Sequence, residues 1–320
     1  MICLCCGKEL SGNENVNQWH RRCVRHFFGT DEIPEIDISE KAIELLAAES
    51  VRSGFTVTGV QKKLSLHLFS EDKPRLTLVD YPTGYILKPQ VKDFRNLPEA
   101  EQLVMSMADR CGIKTVPHGL IQTDGEKAYI TKRVDRIFEG EKTEMLAMED
   151  FCQLDFRLTQ DKYKGSYERC ARIIERYSSR PMLDLTELYI RLVFFYISGN
   201  SDMHLKNFSL IETIPGSGEY VLSPAYDLLP VNLVMPEDRE QTALTLNGKK
   251  KNIRKKDFLA FADNCGIIRK SAEKMMLKIV NMHDEFIKMI QESYLPEDMK
   301  DNYTELVNQR TEVLLMRIQI

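Results

Sequence analysis

A chain of 320 residues with 43% hydrophobic content has enough apolar material for one large core or two modest lobes, which excludes a disordered polymer. Forty-four basic side chains against 48 acidic ones leave a net charge of -4, so no global charge marks a nucleic-acid binder. The densest apolar stretch, 192–201, is about half of the ~20 residues needed to cross a bilayer, and the opening residues 1–8 lack the apolar run of a signal peptide. A soluble, cytoplasmic protein is expected.

The chain opens on a cysteine cluster. Cys3-x-x-Cys6 is followed by His20-x-x-Cys23, and two such short pairs joined by a loop have the spacing of a structural zinc site, with Cys5 able to replace either neighbour. Residues 1–30 are therefore expected to form a zinc-binding segment whose ion folds the chain rather than catalysing a reaction. Cys111, Cys152, Cys170 and Cys265 stand singly and read as small buried hydrophobes of a reducing compartment.

A β-rich lobe is expected over 31–140. Ser39 is a plausible cap for a helix over 39–50; runs at 64–68, 76–79, 85–87 and 128–130 read as strands of one antiparallel sheet, interrupted by a helix over 98–110. From 141 to 320 the pattern turns helical, at 148–156, 163–177, 183–198, 256–264, 270–293 and 297–317, with 219–222 as the only strand. Met275, Met276, Met282 and Met289 are expected as core filler on one long helix. The basic run 249–256 reads as a solvated loop and helix start, with DNA or tRNA contact as the minority reading. The fold class is α+β in two lobes.

The segment that carries chemistry is Gly199-Asn200-Ser201-Asp202-Met203-His204-Leu205-Lys206-Asn207, mounted directly after an almost wholly apolar helix. An acid five residues before an amide lets Asp202 receive a substrate hydroxyl proton while Asn207 offers an oxygen to a metal ion. Asp227, placed after the 219–222 strand, can supply a carboxylate to the same Mg²⁺. Lys206 is suited to neutralising a transferring phosphate, and His204 to holding the loop. In the β-rich lobe, a turn at Thr58-Gly59-Val60-Gln61-Lys62-Lys63 offers backbone N–H groups to phosphate oxygens, and Lys88 stands at a strand end with Glu99 or Glu101 as counter-ion. Turn, strand lysine, helix glutamate, base, amide and late acid in this order point to phosphoryl transfer.

These residues resemble the HipA-type serine/threonine kinases of bacterial toxin–antitoxin systems. The 199–207 segment matches the G-N-x-D-x-H-x-K-N catalytic loop of that family at every fixed position. Support comes from Ile86-Leu87-Lys88-Pro89, Leu97-Pro98-Glu99-Ala100-Glu101, Arg133-Val134-Asp135-Arg136, Glu149-Asp150-Phe151-Cys152-Gln153 and Ser223-Pro224-Ala225-Tyr226-Asp227-Leu228. The resemblance implies a protein-kinase-like fold, related to phosphatidylinositol kinases, that binds ATP and Mg²⁺. Asp202 would be the base, with Lys206 and His204 beside it, and Asn207 and Asp227 would be the metal ligands. Lys88 would touch phosphates and Glu101 would orient it. Gly59, Val60, Gln61 and Lys63 would form the phosphate loop, and Thr131, Lys132 and Arg133 the hinge against adenine. It implies autophosphorylation at Thr56 or Thr58, where related short toxins carry serines. The chain looks like the short form without an N-terminal subdomain. Implied partners are a helix-turn-helix antitoxin that makes any DNA contact, a small separate protein resembling the missing subdomain, and a protein substrate such as an aminoacyl-tRNA synthetase, whose modification would stall translation and favour persistence. The competing readings are a lipid or small-molecule kinase, and an inactive pseudokinase acting as a corepressor or adaptor.

Overall fold

The computed structural model describes residues 1–10, 15–36, 63–69, 75–77, 83–123, 125–139 and 142–316. The expected 39–50 helix, the 78–79 end of the 76–79 strand, the turn residues Gly59, Val60 and Gln61, and the hydroxyls Thr56 and Thr58 lie outside them. The chain divides into two compact units, Met1–Gln102 with Val116–Arg136, and Leu103–Thr115 with Ile137–Ile320.

The first unit is built on a six-stranded sheet. Its strands are β3 (Glu35–Ile36), β4 (Leu64–Phe69), β5 (Arg75–Thr77), β6 (Tyr85–Lys88), β7 (His118–Thr123) and β8 (Glu126–Lys132), in the order β3-β5-β4-β6-β8-β7. All pairs are antiparallel except β3 with β5. Alternation places Leu64 and Leu66 inside and Ser65 outside, as the sequence pattern predicts. β8, flanked by β6 and β7, buries Ala128, Tyr129, Ile130 and Thr131 in succession. Before the sheet come a two-residue hairpin, β1 (Asn15–Val16) with β2 (Trp19–His20), and helix α1 (Arg21–Phe28), ended by Gly29 in the left-handed region. Helix α2 (Leu97–Arg110) gives its first turns to this unit.

The second unit is mainly helical, around α5 (Pro181–Ile197), whose residues from Leu185 onward are buried on nearly every side. The stretch expected as helix over 148–156 is instead strand β11 (Met148–Asp150) followed by the short helix α3 (Phe151–Leu154). The Asp150 carboxylate caps that helix by accepting from Gln153 N at 2.9 Å, and Gln153 returns the bond, so the helix starts no earlier than residue 151. Strand 219–222 is not alone: β13 (Tyr220–Leu222) pairs with β12 (Ser209–Glu212), which pairs with β11, and a further hairpin joins β9 (Arg136–Glu139) to β10 (Lys142–Met145).

Helix α4 (Tyr167–Tyr177) begins four residues later than its apolar pattern, at the Ser166 cap. The single helix expected over 270–293 breaks at Asn281 into α8 (Arg269–Val280) and α9 (His283–Glu292); of its four methionines only Met276 is fully buried. The remaining helices are α6 (Val231–Val234), α7 (Lys255–Asn264) and α10 (Glu297–Leu315). In the basic run, Lys249 and Lys250 are tied to Asp257 and Glu240 rather than left to solvent alone.

Candidate active site

Helix α5 ends at Ser198, and Gly199 turns the chain with φ +69°, a conformation that L side chains rarely adopt. A Cβ there would also stand 2.6 Å from Leu306 Cδ2 of α10. In the loop that follows, Met203, His204 and Leu205 are buried, while Asp202 and Lys206 stay half-buried at the surface. Leu205 N donates to Lys162 O at 3.1 Å, and a single 3-10 turn closes the loop at Leu205–Asn207.

Within it, His204 N and Asn207 Nδ2 both donate to Asp202 O, at 2.8 and 2.9 Å. With Nδ2 so engaged, Oδ1 is the Asn207 atom left to accept or to ligate a cation. The Asp202 carboxylate receives the Tyr163 hydroxyl at 2.6 Å, and the Tyr163 ring stands edge-on to buried His204 at 5.0 Å. Burial raises the Tyr163 phenol above its ordinary range, and the bond to Asp202 raises it further, so the phenol keeps its proton.

Lys206 forms an ion pair with Asp150 at 2.6 Å, joining the loop to the cap of α3. Tyr226 OH donates to Lys206 O at 3.1 Å and meets Ser209 Oγ at 2.6 Å. The next residue, Asp227, takes φ +60°, which turns the chain sharply just after that anchor. The Tyr226 phenol is raised by burial first, with the charges of Asp150 and Asp227 adding to it. Thus Asp202, Lys206 and Asn207 share one loop, and Asp227 is tethered to it through Tyr226. Strand-like pairing of Thr115 with Ala225, and Arg191 Nη2 donating to Ser223 O at 2.9 Å, fix the 223–227 segment from behind.

In the first unit, Lys88 Nζ is buried and paired with Glu101, 5.2 Å above the Tyr129 ring. Glu99 faces Lys127 instead, at 3.6 Å, so of the two glutamates it is Glu101 that meets the lysine. Thr131 Oγ1 donates to Pro117 O, and Lys132 Nζ lies 5.9 Å over the Tyr85 ring, its pKa lowered by burial. Arg133 holds Asp135 through two bonds of 2.7 and 3.0 Å; burial works against the Asp135 charge, yet Arg133 and Arg136 keep its pKa below the ordinary value. Lys63 stands half-buried just ahead of β4.

Four further side chains meet elsewhere in this unit: the ligand atoms of Cys3, Cys6, His20 and Cys23 all lie within 4.8 Å of one another. Cys5 is not among them, its thiol lying 3.8 Å from His118 O. Sequence reasoning missed Tyr163 and the pairing role of Asp150. Tyr163 lies 39 residues before Asp202, and no local spacing signals the contact.

The HipA-like C-terminal domain family matches residues 55–286. The chain belongs to that family. A Haemophilus influenzae protein named "Putative kinase" is 24% identical over 322 aligned positions, covering 91% of this chain and 90% of its own. A Sinorhizobium fredii protein named "Putative kinase Y4dM" is 34% identical over 239, covering 69% of this chain and 54% of its own. Among solved structures, HipA from the Shewanella oneidensis toxin–antitoxin complex of HipA, HipB and operator DNA superposes with a TM-score of 0.69 at 21% identity, over 81% of this chain and 65% of that one. The Helicobacter pylori proinflammatory kinase CtkA gives 0.54 at 15%, over 78% and 93%. These likenesses establish a HipA- and kinase-like fold with a β-rich part and a helical part. No helix among the described residues is long and apolar enough to cross a membrane.

Proposed function

We propose that this HipA-like protein is an ATP- and Mg²⁺-dependent serine/threonine protein kinase and the toxin of a toxin–antitoxin pair. The observation that carries the reading is the Tyr163 hydroxyl on the Asp202 carboxylate: the loop presents a half-buried acid already hydrogen-bonded to an alcohol-like O–H, the contact a general base makes with its acceptor. Asp202 takes the proton of the acceptor hydroxyl as that oxygen bonds to the γ-phosphorus of ATP and the bond to the ADP oxygen breaks. Asn207 Oδ1 and the Asp227 carboxylate are hard oxygen donors of the kind Mg²⁺ takes, and they would hold it. That ion, when bound, neutralises phosphate charge. Lys206, steadied by Asp150, adds a positive charge beside the base. The Lys88–Glu101 pair offers a pre-positioned ammonium to the phosphates, and Thr131, Lys132 and Arg133 the edge against the base of the nucleotide.

Regulation at Thr56 or Thr58, a phosphate loop from Gly59 to Lys63, a HipB-like antitoxin as the DNA-binding partner, and a translation component such as an aminoacyl-tRNA synthetase as substrate complete the proposal. They rest on the family and on the motif match. The test is transfer of labelled phosphate from ATP by the purified chain, followed by intact mass. Asp202→Ala is expected to lose transfer by about 10²–10⁴-fold while keeping its fold, the usual worth of a general base. Transfer unchanged in Asp202→Ala would overturn the assignment.

A further inference from the structure

We propose that Cys3, Cys6, His20 and Cys23 bind one structural zinc ion, and that the knuckle so formed braces the Lys88–Glu101 pair from behind. The first half stands on the cluster alone. The second rests on the kinase reading above.

Tetrahedral zinc with thiolates at about 2.3 Å and imidazole at about 2.0 Å needs ligand atoms roughly 3.5–3.8 Å apart. The four atoms here already lie within 4.8 Å of one another, so a small contraction completes the shell. His20 directs Nδ1 toward Cys6, at 3.4 Å, and toward Cys23, at 4.0 Å. Its other nitrogen, Nε2, lies 3.0 Å from Glu9 O, the outer partner that fixes a metal-binding tautomer. Cys3 Sγ receives the backbone N–H of His20 at 3.4 Å, and the turn closes with Gly7 N donating to Cys3 O at 2.9 Å. Three thiols and one imidazole with no open position describe a closed, non-catalytic site.

The knuckle is joined to the sheet and to the first turns of α2. Leu120 N donates to Leu4 O at 2.9 Å, and Trp19 Nε1 donates to Leu120 O at 2.8 Å. Gln102 Nε2 donates to Cys5 O at 2.9 Å, while its Oε1 meets His118 Nδ1 at 2.8 Å. Phe27 and Phe28 stack near Tyr85, whose hydroxyl donates to Phe27 O. Gln102 adjoins Glu101 on α2, His118 stacks on Tyr129, and Tyr129 lies under Lys88. The metal-held turn thus reaches Lys88 through Gln102, His118 and Tyr129, and Glu101 through the α2 backbone it shares with Gln102. Gly119 is what allows it: a Cβ there would lie 2.6 Å from the rigid Trp19 indole and 3.5 Å from Cys5 Cα.

The test begins with metal content. The full chain, purified and reconstituted with Zn²⁺, is expected to retain about one equivalent after desalting, and Co²⁺ in its place to show thiolate-to-metal charge-transfer absorption. Cys23→Ser is expected to retain at least tenfold less, and Cys5→Ser the full equivalent. No retained metal in the wild-type chain, or equal loss in Cys5→Ser, overturns the site. Should Cys23→Ser fail to fold, chelation of the wild-type chain replaces it, with hydrogen exchange across β7 and the start of α2 expected to rise; unchanged exchange overturns the brace. Gly119→Val substitutes no ligand and is expected to keep the metal while weakening ATP binding several-fold. Unchanged ATP affinity in that variant also overturns the brace, whereas a wild-type chain that holds zinc but binds no ATP condemns the kinase reading and leaves the site standing.

Discussion

Tyr163, a residue 44% exposed, donates its hydroxyl to Asp202 at 2.6 Å, so the acid at the centre of the 199–207 loop is covered by a side chain that solvent can reach. On the kinase reading proposed above, an acceptor hydroxyl takes the place of that phenol. Removing the Tyr163 oxygen while keeping its ring against His204 should therefore ease entry without altering the base. Tyr163→Phe is expected to lower the KM for a protein acceptor several-fold with kcat changed little and the KM for ATP unchanged. Steady-state kinetics with each substrate varied in turn measures this, and a fall in kcat alone would instead make the phenol part of the proton path.

The buried ion pair in the first unit gives a stability prediction. Lys88 and Glu101 are both almost fully excluded from water, so truncating one strands the charge of the other at a cost of about 3–5 kcal/mol. Glu101→Leu should unfold at markedly lower urea than wild type, and Lys88→Met likewise. Carrying both substitutions should recover much of the loss, because no charge is then left buried. Denaturant midpoints of the three variants check this without reference to activity.

Gly199→Ala should cost about 1–2 kcal/mol from the left-handed backbone alone. Its added methyl also meets Leu306 Cδ2, the far end of a flexible side chain. Leu306→Ala in the same chain would relieve the collision but not the backbone strain, so thermal melts of the double variant should not return to the level of Leu306→Ala alone.

Asp257, fully buried, accepts from Asn247 Nδ2 at 2.9 Å, Lys249 Nζ at 2.8 Å and Arg254 N at 2.9 Å. Burial opposes its charge, but these donors prevail and hold its pKa below the ordinary carboxylate value. A depressed folded pKa contributes stability that is fully present above the unfolded pKa of about 3.9 and is lost as pH falls through the lower, folded value. Wild type should therefore lose stability on acidification below about pH 4 more steeply than Asp257→Asn, which should already be weakened at pH 7. Denaturant melts at several pH values measure both slopes.

What could be read in advance was what lies close in sequence. The 199–207 loop declares itself because acid, amide and lysine fall within nine consecutive positions after an apolar helix. The strands at 64–68 and 85–87 follow from alternation and bulk. Strand β12 could not be read this way: Ser209, Leu210, Ile211 and Glu212 are all buried, so no period of two survives. The 148–156 stretch has helical composition, but the Asp150 cap and pairing with β12 hold its first three residues extended. Glu99 and Glu101 share one helical turn, and only the position of Lys88 across the fold distinguishes them. Tyr163 on Asp202 and Asp150 on Lys206 are contacts between distant segments, which no spacing rule encodes.

The grip of α10 on the 198–201 turn bears on when the protein becomes competent. Tyr303 OH donates to Ser198 O at 3.0 Å, Leu306 packs beside Gly199, and Arg310 Nη2 donates to Asn232 Oδ1 at 2.9 Å, whose Nδ2 in turn reaches Ser201. A ribosome that has just released Asn207 from its exit tunnel has still to make this clasp. Until the stretch from Tyr303 to Arg310 emerges, the nascent polypeptide carries the 198–201 turn without these contacts, so the loop gains its fastening only late in synthesis.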